Sequence, residues 1–356
     1  MAFFCEQEGH MLRRRVLRLG LPGVAGVFAL VAAAVTPSLT SAQTPLLEQM
    51  SPNQLIGAVM GAAPVQYSGT LATTSNLLGP ASSLLSSLGK SSTLPQGTST
   101  EEVYRGPGHD FRVQVLDAQS ERDLYVNSRA AWLWSSSGSL AEEIVGSSPA
   151  HTGSTLNPTE MADRIVAALS PTSTLSVGAN TYVGGQAAYD LTVTPNQSGS
   201  MVKRVNIYVD ATNYQVLGFQ IMAVGSSTPA LSVEYSQISF AAQPASLFDF
   251  APPKGSTVKT VKLPLVMGGS SFSSKILGTS WDSVAEMPEK ALTQMLGVPA
   301  ASSLGELETP VKVGGVAAEL LRTTLVNALI LPNQKVFAGA VRPSVLEADA
   351  LAGMGG

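Results

Sequence analysis

Between Tyr182 and Lys259 the sequence alternates apolar and polar residues segment after segment, and this alternation limits the fold more than any other feature. Ala187, Tyr189, Leu191 and Val193 alternate with Ala188, Asp190, Thr192 and Thr194, and Val205, Ile207 and Val209 alternate with Arg204, Asn206 and Tyr208. Leu217, Phe219 and Ile221 share one face of the next segment, and Leu231, Val233 and Tyr235 share one face of the segment after it. A period of two puts one set of side chains in a core and the other in water. Gly184-Gly185 and Asp210-Ala211-Thr212-Asn213 are turn sequences between these runs, so the connections are hairpins and the predicted sheet is antiparallel. The stretch closes on Phe248-Asp249-Phe250-Ala251-Pro252-Pro253.

The same reading extends toward the N-terminus. Strands are predicted at Tyr67–Ser75, Glu102–Arg105, Asp110–Leu116, Asp123–Asn127 and Ala131–Ser135, with Phe111, Val113 and Val115 on one face of the third. Trp132 and Trp134 share a face and read as core aromatics in preference to the lining of a groove. Two helices have clear starts. Ser51-Pro52 opens one whose Leu55, Ile56, Val59 and Met60 fall together. Asn157-Pro158-Thr159-Glu160 is a capping-box start for a second, with Met161, Ile165 and Leu169 in a stripe and Ser170-Pro171 as its stop. A single-stripe helix must lie on something, and the sheet is the expected support.

Residues 76–100 are Ser, Thr, Gly and Leu with Lys90 as the one charge, and read as a surface insertion; a mobile flap over an apolar cavity is the alternative. Residues 263–280 read as a Gly/Ser linker and 281–356 as a small α+β subdomain. In it a helix opens at Pro288, Glu319–Leu331 and Lys335–Arg342 form a hairpin about Pro332-Asn333-Gln334, and Ser344–Leu351 is a closing helix. The sequence leaves open whether this part packs back onto the main sheet.

At the start, Arg13-Arg14-Arg15-Val16-Leu17-Arg18 precedes an apolar run from Leu19 to Val35, and Thr40-Ser41-Ala42 supplies small residues for cleavage after Ala42. Residues 1–42 are therefore an export signal in this reading, with an uncleaved anchor as the alternative. Removing them takes the formal charge from −4 to −6 and removes Cys5, the only cysteine, so disulfides and cysteine–metal sites are excluded from the processed chain. A mildly acidic chain without a basic stripe does not fit nucleic acid as partner.

No motif carries chemistry. There is no Gly-x-Ser-x-Gly, no His-Glu-x-x-His and no phosphate-binding Gly-rich loop, so no cofactor is implied. Beyond His10 the histidines are His109 and His151, too few for a triad or a histidine-rich metal site, and His109 beside Asp110 reads as a surface turn. Glu101-Glu102 and Glu142-Glu143 are adjacent and so face apart, which does not suit paired-carboxylate catalysis. The expected protein is not an enzyme.

Three segments taken together resemble the LolA/RseB-like family of extracytoplasmic lipoprotein-carrier and regulatory proteins, in its actinobacterial form. They are Val183-Gly184-Gly185-Gln186-Ala187-Ala188-Tyr189-Asp190-Leu191, Val205 to Asp210, and Phe248-Asp249-Phe250-Ala251-Pro252-Pro253, within a resemblance that spans roughly Leu46 to Val261. It implies an α+β fold: a curved, antiparallel, half-open β-barrel over residues 43–262 with helices packed in its concave face, and an apolar cavity that accepts acyl chains. The insertion at 76–100 and the small C-terminal α+β subdomain make the chain longer than a minimal carrier and closer to the RseB side.

Residues expected at such a cavity are Leu191, Val193, Val205, Ile207, Val209, Leu217, Phe219, Ile221, Leu231, Val233 and Tyr235 from the sheet, with Met161, Ile165 and Leu169 from the covering helix; each also reads as ordinary core. The expected ligand is a lipid or an acylated lipoprotein. The alternative is a regulatory protein that binds a membrane-protein ectodomain such as an anti-sigma factor.

Overall fold

The structure, a computed structural model, describes residues 44–79, 82, 96–145, 167, 170–262, 274–296, 298 and 308–354. Thr44 onward forms one compact unit built on two sheets. The larger contains β1 (Tyr67–Ser75), β2 (Gly97–Arg105), β3 (Phe111–Asp117), β4 (Ser120–Val126), β5 (Ala131–Ser135), β6 (Leu140–Val145), β7 (Ser173–Val177), β8 (Thr181–Val183), β9 (Gln186–Pro195), β10 (Val202–Asp210), β11 (Val216–Ala223), β12 (Pro229–Ser239) and β13 (Thr257–Lys262). Its strands run in the order β13-β6-β5-β4-β3-β2-β1-β12-β11-β10-β9-β7, with β8 paired to β9. The two end strands do not meet, so the sheet is open.

One pairing corrects the all-antiparallel expectation. β13 lies parallel to β6, Thr257 opposite Leu140 through Lys262 opposite Val145, and the sheet is mixed. A parallel partner needs a crossover, and the chain from β12 through Phe248–Pro253 provides it.

The sheet bends at its β8–β9 hairpin. Ile238 N–H on β12 donates to the Gly184 carbonyl at 3.1 Å, and Gln186 Nε2 donates to the Ile238 carbonyl at 3.2 Å. β9 and β12 are three strands apart, about 14 Å in a flat sheet, so the intervening strands must curl to bring the turn onto β12. Gly184 permits the approach: at φ +59° it is in the left-handed region, and a Cβ there would lie 2.9 Å from Ile238 Cγ2.

Helix α1 (Pro52–Gly61) starts as its sequence implies. The Gln54 N–H donates to Ser51 Oγ at 3.3 Å, and the Ser51 N–H donates to Gln54 Oε1 at 2.8 Å. Its buried Leu55 and Ile56 pack on Tyr189, Leu191 and Val209, so this helix covers one end of the sheet. The helix expected from Asn157 lies outside the described residues. Among those described, no helix is long and apolar enough to cross a membrane.

The second sheet comprises β14 (Lys275–Leu277), β15 (Val284–Pro288), β16 (Glu308–Val313), β17 (Val316–Arg322), β18 (Asn327–Ile330) and β19 (Lys335–Gly339). Its order is β14-β15-β19-β18-β17-β16, antiparallel throughout. Glu319–Leu331, read as one arm of a hairpin, is two strands: Thr323–Val326 turns the chain between β17 and β18, where the Thr323 N–H donates to the Val326 carbonyl at 3.2 Å. β14 arises in the stretch read as linker.

Helix α2 (Glu289–Leu296) opens directly after Pro288 and packs Leu292 and Leu296 on Ala328, Ile330, Val336 and Ala338. Helix α3 (Pro343–Met354) packs Leu346 and Ala350 on Leu320, Leu329 and Phe337, the alternate positions. With both faces covered, β18 is buried along its length: Ala328, Leu329 and Ile330 are successive apolar residues, and Asn327 Nδ2 donates to the Val341 carbonyl at 2.7 Å.

The two sheets are joined. Met201 N–H donates to the Ala340 carbonyl and Arg342 N–H to the Gly199 carbonyl, both at 2.7 Å, and Trp281 Nε1 donates to Ser173 Oγ at 2.7 Å. Leu325, Ala340 and Trp281 pack against Val202, Val205, Ile221, Ala223 and Ala230. Leu78, which follows β1, is 3% exposed and sits in the second sheet's core with Leu292, Leu296 and Leu321.

Candidate functional site

Residues paired across a ladder share a face, so register alone builds the site. Leu191, Ile207, Phe219 and Val233 form one row across β9–β12, and Val193, Val205, Ile221 and Leu231 form the next. Val233 hands the face to Thr73 on β1. Gly69, four residues away on the same side of β1, passes it through Val103 and Val113 to Leu124, Leu133 and Glu142. One face therefore runs from β9 to β6, apolar toward both ends and interrupted at β1–β2 by Thr73, Ser99 and Glu101. Its reverse at the β9–β12 end is polar: Thr192, Asn206, Gln220 and Ser232.

The residues expected at a cavity are distributed along this face. Leu191 and Val209 are buried and Ile207 half-buried in the cluster under α1. Val205 and Ile221 meet Leu325, Ala340 and Trp281 of the second sheet. Leu217 and Tyr235 are buried with Val103, Val183 and Ile238 in a cluster that also takes in Ala188 and Tyr208 from the alternate positions of β9 and β10, and burial together with a hydrogen bond to Tyr67 pushes the Tyr235 phenol far above its ordinary range. Val193 is buried, and Phe219, Leu231 and Val233 are half-buried. Met161, Ile165 and Leu169 lie outside the described residues.

At the β3–β6 end the face opens into a pocket of about 380 Å³. Its floor is Val113, Leu124 and Leu133 in one row and Val115, Ser135 and Leu140 in the next; Arg122 and Glu142 complete the rows, and Asp123 and Trp134 also border it. This volume is within the range of small-ligand sites. A methylene fills roughly the 30 Å³ that a water takes in the liquid, so the pocket matches about a dozen chain carbons.

Sequence reasoning found Val113 and Val115 but missed Leu124, Leu133 and Leu140. The signal was in the turn: Asp117 opposite Ser120 leaves a two-residue loop, and that register places Leu124 opposite Val113.

Behind the pocket, the reverse face carries a polar and aromatic cluster. Arg112 Nη2 donates to Asp123 Oδ2 at 2.6 Å, and its guanidinium lies 4.7 Å from the Tyr125 ring centre and 5.8 Å from that of Tyr104. The Tyr125 hydroxyl donates to the same Asp123 oxygen at 2.6 Å; burial first, then this bond, holds the phenol far above its ordinary range. Phe250 stacks on Tyr125 at 4.8 Å and meets Trp132 at 5.6 Å and Trp134 at 6.0 Å. The aromatic-proline segment is therefore a strap across the back of the pocket's strands. Phe248, 1% exposed, fixes it further: a Cβ on Gly106 would lie under 3.0 Å from three atoms of its ring. Arg129 also pairs with Asp249.

On the polar reverse face at the other end, Asn206 Nδ2 donates to both Asp190 oxygens at 2.9 Å. Tyr208 in the neighbouring row is pushed up to about 12 by burial, then by Glu234 and Asp190. Among the described residues no three His, Cys, Asp or Glu side chains gather as a metal site.

The sequence matches no known family profile, and no curated protein is similar to it at a significant level. Solved structures similar to it include the MucA/MucB complex of Pseudomonas aeruginosa, with 14% identity and a TM-score of 0.42 over 83% of this chain and 95% of that one. The LolA superfamily protein NE2245 from Nitrosomonas europaea is 11% identical, with a TM-score of 0.24 over 57% of this chain and 99% of that one. An outer-membrane lipoprotein-sorting protein domain from Vibrio parahaemolyticus is 10% identical, with a TM-score of 0.22 over 54% and 93%. The structural neighbours thus include proteins of the kind the three sequence segments resemble.

Proposed function

We propose that this chain is an exported, non-enzymatic binding protein that holds the acyl chain of a lipid or an acylated protein on the apolar face of its large sheet, outside the cytoplasm. The observation that carries the proposal is the apolar pocket that this face forms at β3–β6. A sheet that needs only a core has no use for an apolar cleft with Leu133 41% exposed at its floor. In this reading residues 1–42 direct export, 43–262 form a half-open cradle with α1 at one end, and 281–356 form the smaller part after the 263–280 connection. Phe219, Leu231 and Val233 lie on the same face at its other end. Native mass spectrometry of protein purified from its own cell envelope tests the proposal. A bound mass of several hundred daltons, released by organic solvent, is expected; protein recovered empty that also ignores added lipids refutes it.

One observation favours the regulatory reading as a second role. Val316, Leu351 and Met354 on the second sheet and α3 are 41%, 46% and 38% exposed, and Gly314 brings the latter two together: a Cβ there would meet Leu351 Cδ2 at 2.6 Å and Met354 Cε at 3.9 Å. In this role the patch receives a membrane-protein ectodomain. Leu351→Glu with Met354→Glu would abolish capture of such a partner from solubilised envelope while lipid binding persists; unchanged capture counts against it.

A further inference from the structure

Arg122 is the one cation among the side chains that line the β3–β6 pocket. It occupies a position on the apolar face, opposite Val115 on one side and Ser135 on the other, where alternation calls for an apolar residue. A long side chain in such a place covers apolar floor with its stem and carries its charge to the mouth. Its nearest carboxylate among the described residues is Asp117 at 3.6 Å, with the two side chains 62% and 54% exposed. An ion pair so solvated holds little of the guanidinium's capacity, and most of its five N–H donors remain open to a ligand. Of the pocket's two other charged residues, Asp123 is bonded to Arg112 on the reverse face, and Glu142 lies opposite Lys259 of β13 in the ladder.

Resting on the acyl-binding reading, we propose that Arg122 makes this pocket selective for a single-chain amphiphile with an anionic head. The chain lies along Val113, Leu124, Leu133 and Leu140, and the carboxylate or phosphate oxygens accept hydrogen bonds from Arg122 at the mouth. The planar fork of donors matches both head groups.

The test uses the processed chain and four ligands of equal length: dodecanoate, dodecyl phosphate, dodecanol and dodecylammonium. Isothermal titration is run on wild type, Arg122→Gln and Arg122→Lys. The wild type is expected to bind at least one of the two anions about fivefold more tightly than dodecanol, an advantage consistent with a partly solvated charge-assisted hydrogen bond, and to bind dodecylammonium no better than dodecanol. Arg122→Gln removes the anion advantage and leaves dodecanol unchanged, while Arg122→Lys keeps part of it. Tighter binding of dodecanoate identifies a free fatty acid as the source, and tighter binding of dodecyl phosphate identifies the phosphate head of a single-chain lipid.

Equal affinity of the wild type for anions and dodecanol, tighter binding of dodecylammonium, or an anion advantage that survives in Arg122→Gln overturns the proposal. Failure of all four ligands to bind overturns the acyl-binding reading beneath it.

Discussion

The volume of the β3–β6 pocket predicts how affinity depends on ligand length. At about 380 Å³ it takes a chain of about a dozen carbons. A fully enclosed methylene contributes about 0.8 kcal/mol, about fourfold in affinity. The pocket is open along its mouth, so about half of that, or about twofold per methylene, is the lower bound. Lengthening a carboxylate from about six to about twelve carbons therefore tightens binding by at least roughly 60-fold. Beyond that length the added carbons leave the pocket and the curve flattens. Leu133→Trp fills part of the space from an exposed position where the larger ring overpacks nothing, so it moves the break about two carbons shorter without lowering stability. Displacement of a fluorescent fatty acid by a homologous series, below the micelle concentration, reads both effects. Affinity that rises without a break to about eighteen carbons, or that ignores length from about six upward, refutes the assignment of the pocket.

Arg112→Ala leaves the fully buried Asp123 side chain without its cation and is expected to cost about 3–5 kcal/mol in urea unfolding; adding Asp123→Leu recovers most of the loss. Gly106→Ala drives a methyl into Phe248 and costs about 1–3 kcal/mol, but costs nearly nothing in a Phe248→Ala background, a non-additivity that a double-mutant cycle measures. Burial first, then Glu234 and Asp190, pushes the Tyr208 phenol up to about 12 from 10.0, so its contribution is complete below pH 10 and is lost as pH rises toward 12. Between pH 9 and pH 11.5 the wild type should lose more stability than Tyr208→Phe.

Much of the large sheet was legible because its strands alternate and its turns are short. β1 and β5 fall on the residues predicted for them, and Ser51-Pro52 marked the start of α1 to the residue. What escaped notice has physical reasons. β13 reads Thr-Val-Lys-Thr-Val-Lys, and its residues 257–260 are exposed; an edge strand held by backbone hydrogen bonds leaves little apolar signature. β18 has no alternation because both its faces are covered, so it merged with β17 in the sequence reading. The pocket was half visible, in Val113 and Val115. Its remaining floor comes from single leucines on three strands, each unremarkable until register aligns them. Arg122 gave no signal at all, since a charge beside a turn is the commonest kind of surface residue.

Leu78 bears on how the chain reaches this state. It leaves the ribosome with the first third of the sequence, yet its neighbours Leu292, Leu296, Leu321 and Ala328 are made roughly two hundred residues later. Contacts of such sequence separation are slow to form. Until they do, an apolar residue beside a completed β1 has no burial place. A chain stopped before β15 would therefore not be a shorter version of the same fold. It would carry Leu78 without Leu292, Leu296, Leu321 and Ala328, and Leu77 without Leu325, so the last quarter of the sequence completes the burial of a segment made near its start.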